Sequence, residues 1–346
     1  MKSGRARKAH AAAPDLSRLL DLVASFPRLT ITVLGDFVVD EYVTGEISRV
    51  SREAPVLILR HQSTEIVPGG GANAANNVLS LGARVLPVGA VGDDAAGSAL
   101  VEYFREKGVE AGGMIRVRNW VTTTKTRFLA RWSHTARQQV LRVDREAGKR
   151  LDESVTRRIS AKAQSWAARS DGVMVSDYGA GSVAPALVKR LRAKILTLDS
   201  RYRLLDYRGA KITAATPNEP ELESLFHTQI GKDEEQLEIL GERTLRMLRL
   251  RALLVTRGRD GMVVFERGKP PQKIAAFGGL DAVDVTGAGD TVMAVFTLAL
   301  AAGASFLEAA HLSNFAGGIV VMKRGTAAIS RAELEAAVRN EASAKV

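Results

Sequence analysis

Asp284-Val285-Thr286-Gly287-Ala288-Gly289-Asp290-Thr291 is the stretch on which the reading of this chain turns. Gly287 and Gly289 flank one alanine, so no bulky side chain screens the backbone there. The following run, Val292-Met293-Ala294-Val295-Phe296-Thr297-Leu298-Ala299-Leu300, is almost wholly apolar and predicts a buried helix. A Gly-x-Gly turn that opens a helix leaves main-chain N–H groups unpartnered at the positive end of the helix dipole, which is an anion site. Asp290 stands at its mouth. A phosphate-sized anion beside a carboxylate points to phosphoryl transfer, with Asp290 as the base that takes a hydroxyl proton. A Gly-rich strand-to-helix turn is also ordinary structure, so the remainder of the chain has to decide.

Outward from this stretch, strands and helices alternate. The sequence predicts strands over 29–35, 84–88, 172–176, 195–198, 211–215 and 252–256, and helices over 95–107, 154–168 and 183–191. A hairpin-like return follows at 262–266, and helices starting at Gly287, Ser305 and Ser330 close the chain. Such alternation with short connections implies an α/β fold, a mostly parallel sheet with helices on both faces. No linker divides residues 15–346, which read as a single domain. Asp36, Asp177 and Asp199 end predicted strands, and Asp40 follows shortly after Asp36. Carboxylates at the C-terminal ends of parallel strands lie where α/β sheets bind ligands. Turn chemistry is the competing account of Asp36.

Two stretches of short strands, about 41–62 and 120–145, interrupt the alternation. A small isolated sheet is marginal in water. These insertions therefore predict a lid that covers the body and pairs with a second copy, giving a homodimer. Between them lies Pro68-Gly69-Gly70-Gly71-Ala72-Asn73, where small residues permit close approach. The Asn73 amide both donates and accepts, which suits sugar hydroxyls. A tightly packed helix start explains the glycines equally well. Neither a Gly-x-Gly-x-x-Gly fingerprint nor a Walker A sequence occurs.

With no cysteine among 346 residues, disulfides, thiolate catalysis and Cys-type zinc sites are excluded. No run approaches the roughly 18 apolar residues of a membrane span. The N-terminus lacks a signal-peptide core, so a cytoplasmic enzyme is expected. The net charge is +11, of which Lys2, Arg5, Arg7 and Lys8 lie in residues 1–14, a basic tail expected to be disordered, leaving +7. No nucleic-acid motif accompanies this charge, so nucleic acid is not an expected partner. Phosphorylated substrates and ATP suit the same surface.

Five stretches occur in a telling order: Gly35-Asp36 with Asp40, Gly69-Gly70 with Asn73, Asn218 with Glu221, Thr256 with Gly258, and Gly287-Ala288-Gly289-Asp290. They resemble the signatures of ribokinase-like (PfkB-type) sugar kinases over roughly residues 28 to 340. The resemblance implies a ribokinase-like three-layer fold with a β lid, and ATP-dependent phosphorylation of a sugar hydroxyl. It assigns Asp290 as the base and the Gly287, Ala288 and Gly289 amides to the transferring phosphoryl. Asp36, Asp40, Gly69, Gly70, Asn73 and Asp177 would lie on the sugar side. Asn218 and Glu221 would organise Mg²⁺ through water, Thr256, Gly258 and Gly261 would line ATP, and Asn314 would lie near the adenine. Asp284 and Thr286 match positions that hold a monovalent cation such as K⁺ in some relatives. Helix capping by Asn218 and turn capping by Asp284 are the structural alternatives.

Within the family, several passages are similar to kinases of D-glycero-β-D-manno-heptose 7-phosphate in the ADP-heptose (lipopolysaccharide core precursor) pathway. They are Gly45-Glu46-Ile47-Ser48-Arg49-Val50-Ser51, Thr123-Thr124-Lys125-Thr126-Arg127, Arg137-Gln138-Gln139-Val140-Leu141-Arg142-Val143-Asp144 and Ser176-Asp177-Tyr178. This implies transfer to the anomeric 1-OH, with Lys125, Arg127, Arg142 and Arg49 available to a sugar phosphate. Solvated or ion-paired lid cations are the alternative. Arg52 stands where that pattern has Pro, and Ser200-Arg201-Tyr202 where it has Pro-Lys-Gly. The exact sugar therefore stays open, with another sugar or sugar phosphate, a non-catalytic binding regulator and a nucleic-acid binder as rival readings. Many such relatives carry a C-terminal nucleotidyltransferase domain; this chain is expected to be the kinase alone.

Overall fold

The computed structural model describes residues 13–132, 137–147, 150–279 and 282–344. Residues 1–12 of the predicted basic tail lie outside them. The described chain opens with α1 (Leu16–Ser25), capped by Asp15, which accepts the Ser17 main-chain N–H at 3.0 Å. The core strand β1 (Thr30–Gly35) follows, then the long β2 (Phe37–Val50) and β3 (Leu57–Gly70). Next come α2 (Gly71–Ser80), β4 (Arg84–Gly92), α3 (Ala95–Glu106) and β5 (Met114–Val117). β6 (Thr123–Arg131) and β7 (Gln138–Arg145) lead into α4 (Glu153–Ala167). The chain continues through β8 (Gly172–Asp177), α5 (Pro185–Val188), β9 (Leu196–Ser200) and β10 (Ala214–Ala215). α6 (Glu219–Phe226), α7 (Glu234–Met247), β11 (Ala252–Thr256), β12 (Met262–Glu266) and β13 (Gln272–Ile274) come next. Finally, α8 (Ala288–Ala301), α9 (Phe306–Val320) and α10 (Arg331–Ala344) complete the described chain.

Nine strands form the main sheet in the order β13-β12-β11-β10-β9-β8-β1-β4-β5, parallel except for the antiparallel β12 and β13. Strand alternation sends successive side chains to opposite faces. Ile31 and Val33 join one apolar core while Leu34 joins the other; Met174 separates in the same way from Val173 and Val175. α8 and α9 supply the first core, and α4 and α7 the second. Both faces are thus covered, which is why the central strands read as unbroken apolar runs. This is the ribokinase-like three-layer α/β fold.

A separate four-stranded sheet, β3-β2-β6-β7, forms the lid. β2 pairs antiparallel with β3 from Phe37 opposite Gly70, and parallel with β6 from Val38 opposite Thr123. The first insertion is therefore longer than the sequence suggests: the strand pair spans 37–70, not 41–62. Val38 and Val39 are buried at the lid base, so their apolar character hides the exit from the core. The second insertion holds strands at 123–131 and 138–145. Two other expectations shrink. Only Pro185–Val188 of the predicted 183–191 helix is helical, and only Ala214–Ala215 of 211–215 pairs as a strand.

Candidate active site

α8 begins on Gly287, whose φ of +77° is the left-handed conformation that glycine adopts without strain. A Cβ there would lie 2.6 Å from Asn73 Nδ2, so the position also demands an absent side chain. The Ala288 N–H closes a turn on the Val285 carbonyl at 3.2 Å, and the Thr291 N–H bonds the Gly287 carbonyl. The Ala288 amide is therefore already engaged, in contrast to its expected use on a phosphoryl. The amides of Gly289 and Asp290 have no such partner among the described residues.

Asp290 lies in the first turn of α8 and is 2% exposed. Its carboxylate accepts Asn73 Nδ2–H at 2.9 Å and the Tyr178 hydroxyl at 2.9 Å. Asn77 fixes the orientation of Asn73: Asn77 Nδ2 donates to Asn73 Oδ1 at 3.1 Å, leaving the Asn73 amide hydrogens for Asp290. Thr291 in turn donates to Asn77 Oδ1 at 2.9 Å. Burial pushes the Asp290 carboxyl up to about 7, with the Asn73 and Tyr178 hydrogen bonds pulling against it; Asp40 adds a smaller upward push and Lys125 a downward one. A carboxylate poised near neutrality is suited to accept a hydroxyl proton. The arrangement brings the N-terminal half, through Asn73, onto the C-terminal helix across 217 positions of sequence.

On the sugar side, Asp40 sits at the base of the lid, buried, in an ion pair with Arg127. Thr326 Oγ1 donates to its other oxygen at 2.7 Å. Gly69 passes against this carboxylate, and Gly70 ends β3 at the start of α2. Lys125 projects over the Tyr178 ring at 5.6 Å, and burial lowers its pKa despite nearby Asp40. Arg142 donates twice to Asp144, at 2.7 and 2.5 Å. Arg49 lies near the end of β2, far along the lid strand from Asp40.

Two expected substrate carboxylates are instead committed to protein donors. Asp36 accepts main-chain N–H groups of Tyr178, Ala180 and Ser182 at 2.7–2.9 Å. Its pKa is still raised to about 6, by burial first and the Asp177 charge second. Asp177 accepts from Ser200, from Arg203 at 2.8 and 3.0 Å, and from the Tyr207 hydroxyl at 2.6 Å. Both fasten the 177–183 loop that presents Tyr178, so they hold the site rather than touch a sugar.

On the nucleotide side, Asn218 and Glu221 form a capping box at the start of α6. The Glu221 N–H donates to Asn218 Oδ1 at 2.8 Å, and the Asn218 N–H to Glu221 Oε2 at 3.0 Å. Capping uses one oxygen of each side chain, leaving Glu221 Oε1 for a ligand. Asp199, at the end of β9, is half-buried beside Glu221, Asp290 and Asp177, and loss of solvent together with these charges pushes its carboxyl well above the usual range. Glu221 is raised too, again chiefly by burial. Neighbouring acids, with Arg201 the cation that acts on both, suit Mg²⁺, which takes one or two carboxylates plus phosphate oxygens and water. No cluster of three His, Cys, Asp or Glu that could hold a metal occurs among the described residues. Thr256 ends β11 bridged to Asn218, and Gly258 lies in the turn beyond it. Gly261 has φ +80° and its Cβ position is filled by the Ile274 carbonyl, so it makes a tight turn. Asn314 donates to the Ala275 carbonyl at 2.8 Å and accepts the Phe277 N–H; its amide ties down the 275–277 segment instead of standing free for adenine.

The monovalent-cation pair is likewise engaged. Asp284 accepts the N–H groups of Thr286 and Gly325, each at 2.9 Å. Burial opposes its ionisation, but these bonds prevail and hold its pKa below the usual value. Asp284 thereby joins two loops. Sequence reasoning quoted Tyr178 in a shared passage but gave it no role, and it missed Thr326, Asn77 and the nearness of Asp199 to Glu221. Asp199 carried a signal in its strand-end position and Tyr178 in its shared passage; Thr326 and Asn77 act through contacts between distant segments.

Residues 31–333 match the pfkB family carbohydrate kinase profile. The chain belongs to the PfkB family of carbohydrate kinases. The kinase thus transfers a phosphoryl group from ATP to a sugar hydroxyl. It is 37% identical over 327 residues to the bifunctional protein HldE of Desulfatibacillum aliphaticivorans, covering 92% of this chain and 65% of that protein. It is 38% identical over 323 residues to the bifunctional protein HldE of Pseudomonas aeruginosa, covering 91% and 65%. The chain therefore spans less than two thirds of these relatives' length. Among solved structures, the ribokinase of Arabidopsis thaliana complexed with ribose and ATP aligns at a TM-score of 0.66 and 20% identity, covering 90% of this chain and 99% of that one. Phosphofructokinase-2 of Escherichia coli in complex with potassium aligns at 0.72 and 16%, covering 91% and 99%. These two likenesses concern the fold. No helix among the described residues is long and apolar enough to cross a membrane.

Proposed function

We propose that this kinase phosphorylates the anomeric 1-OH of D-glycero-D-manno-heptose 7-phosphate, with Asp290 as the base. The observation that carries the reading is the buried Asp290 carboxylate, held by Asn73 and Tyr178 at the start of α8 and facing the charged base of the lid. The hydroxyl proton passes to Asp290 as the sugar oxygen attacks the γ-phosphate, and the free first-turn amides of α8 stabilise the developing charge. Mg²⁺, when bound with ATP, would neutralise phosphate charge; Asp199 at the end of β9 and Glu221 Oε1 would hold it through water, with Asn218 capping the helix that presents Glu221. The cation role of Asp284 and Thr286 is the K⁺ part of the same proposal. The name HldE of the relatives and the lid passages support a heptose phosphate over other sugars.

The two departures from the heptose-kinase pattern bear on this choice. Arg201 lowers the pKa of both Asp199 and Glu221, which places it on the nucleotide side. Arg52 lies between β2 and β3, exposed at the far end of the lid. Arg201 also lowers the Lys125 pKa, so it acts on the sugar side as well, whereas Arg52 stands away from the cleft. A panel of heptose 7-phosphate, fructose 6-phosphate, ribose and fructose, read by ADP release, tests the reading. Heptose 7-phosphate should give the highest kcat/KM by at least tenfold; a higher value for any other member would replace it as substrate.

A further inference from the structure

Arg257 stands between Thr256 and Gly258, the two residues at the end of β11 that were placed on the nucleotide side. Its main-chain N–H donates to the Gly261 carbonyl at 2.8 Å, and its carbonyl accepts the Asp260 N–H at 3.1 Å, so its backbone closes the turn that holds both glycines. Its side chain reaches the starts of two helices. Nε donates to Glu219 Oε2 at 2.6 Å, and Nη1 to Glu234 Oε1 at 2.8 Å. Glu219 is the first residue of α6, between the capping Asn218 and Glu221, and Glu234 is the first residue of α7. Lys273 on β13 extends the network, 2.7 Å from Glu234 and 3.0 Å from Glu238.

We propose that Arg257 is a positioning residue for ATP: it fixes the start of α6 against the 256–261 turn, and so sets where Glu221 and Gly258 meet the nucleotide. The proposal rests on the nucleotide-side reading of those residues and adds what holds them in register. The Arg257 side chain is only 6% exposed, so its two carboxylate bonds are made largely away from solvent. Buried ion pairs add little net stability, because desolvation offsets the attraction, and their best-attested use is to fix register between elements. A planar guanidinium sets direction as well as distance for two acids at once, which a Lys ammonium does not. Other ties between the two stretches are slight. Asn218 bridges to Thr256, and the Thr256 N–H bonds the Pro217 carbonyl at 3.1 Å. The strand that leads into α6, β10, pairs through Ala214 and Ala215 alone, so the sheet gives the helix start little anchorage. Glu219 is 18% exposed and Glu234 39%, so the Glu219 bond is less screened and is the principal arm.

Calorimetry of a non-hydrolysable ATP analogue with Mg²⁺ tests this without an acceptor sugar. Arg257→Met should weaken binding by roughly tenfold to a hundredfold, the scale of one charged hydrogen bond lost to the phosphates. Arg257→Lys should fall between, and Glu219→Gln should cost more than Glu234→Gln. In turnover with the best acceptor of the sugar panel, KM for ATP should rise by the same factor while KM for the sugar stays that of wild type. Should Arg257→Met fail to fold, Arg257→Lys and Glu219→Gln carry the same test. Glu221→Gln separates the positioning role from the nucleotide reading, since it alters an acid assigned to the nucleotide side itself. Binding unaltered in folded Arg257 variants but weakened in Glu221→Gln overturns the positioning role and leaves the nucleotide reading standing. Binding unaltered in both overturns the nucleotide reading and the role with it. Equal rises in both KM values, as a general loosening of the fold would give, also overturn the role.

Discussion

Asp290 works because its surroundings hold two tendencies in balance. Burial raises its pKa, and two donors keep enough of it ionised near neutrality. A base must be deprotonated to act, so kcat/KM should rise with pH along a single ionisation centred near 7 and fall tenfold per unit well below it. Tyr178→Phe removes a donor that lowers the Asp290 pKa, so it should shift that midpoint upward as well as reduce kcat. A profile midpoint that stays put in Tyr178→Phe would mean the titrating group is another. Asp290 was legible in the sequence because a Gly-Ala-Gly turn before an apolar helix advertises an anion site. Tyr178 was not, since its bond spans 112 positions and depends on how Asp36 and Asp177 fasten its loop. Those two aspartates show the converse: a strand-end carboxylate looks like a ligand group until its neighbours' N–H groups are seen to consume it.

The element that organises the site is α8, and its demands are steric as well as electrostatic. A methyl at Gly287 would meet both a left-handed backbone, costing about 1–2 kcal/mol for a non-glycine residue, and the amide that orients on Asp290. Gly287→Ala should therefore lower the melting temperature by several degrees and cut kcat by more than tenfold; thermal unfolding together with ADP release checks both. The main-sheet elements were largely readable from sequence because buried parallel strands are apolar without interruption. The lid edges were not: Val38 and Val39 are as apolar as core strand residues, and periodicity does not say which sheet a strand joins. The length of 183–191 was overread for the same reason, its apolar residues being buried in a loop that makes only one helical turn.

At the scale of the molecule, the lid's outward face leaves apolar surface in water. Leu141 and Val143 on β7 are 55% and 42% exposed, and Leu141 pairs across from Phe128. A second copy covering this face would give the homodimer expected from the insertions, which we propose. Leu141→Glu with Val143→Glu should convert a dimer to a monomer in light scattering; a wild-type monomer at micromolar concentration would remove the proposal. The same lid carries the cations that face the cleft on its inner side, so pairing and substrate recognition would share one small sheet.

The claim on which the rest depends is that Asp290 takes the proton from the sugar hydroxyl. ADP release by Asp290→Asn, with ATP binding measured in parallel, tests it most directly. The account predicts turnover lower by roughly 10²–10⁴-fold with ATP affinity close to that of wild type. Turnover within a few-fold of wild type in a variant that still binds ATP would contradict it.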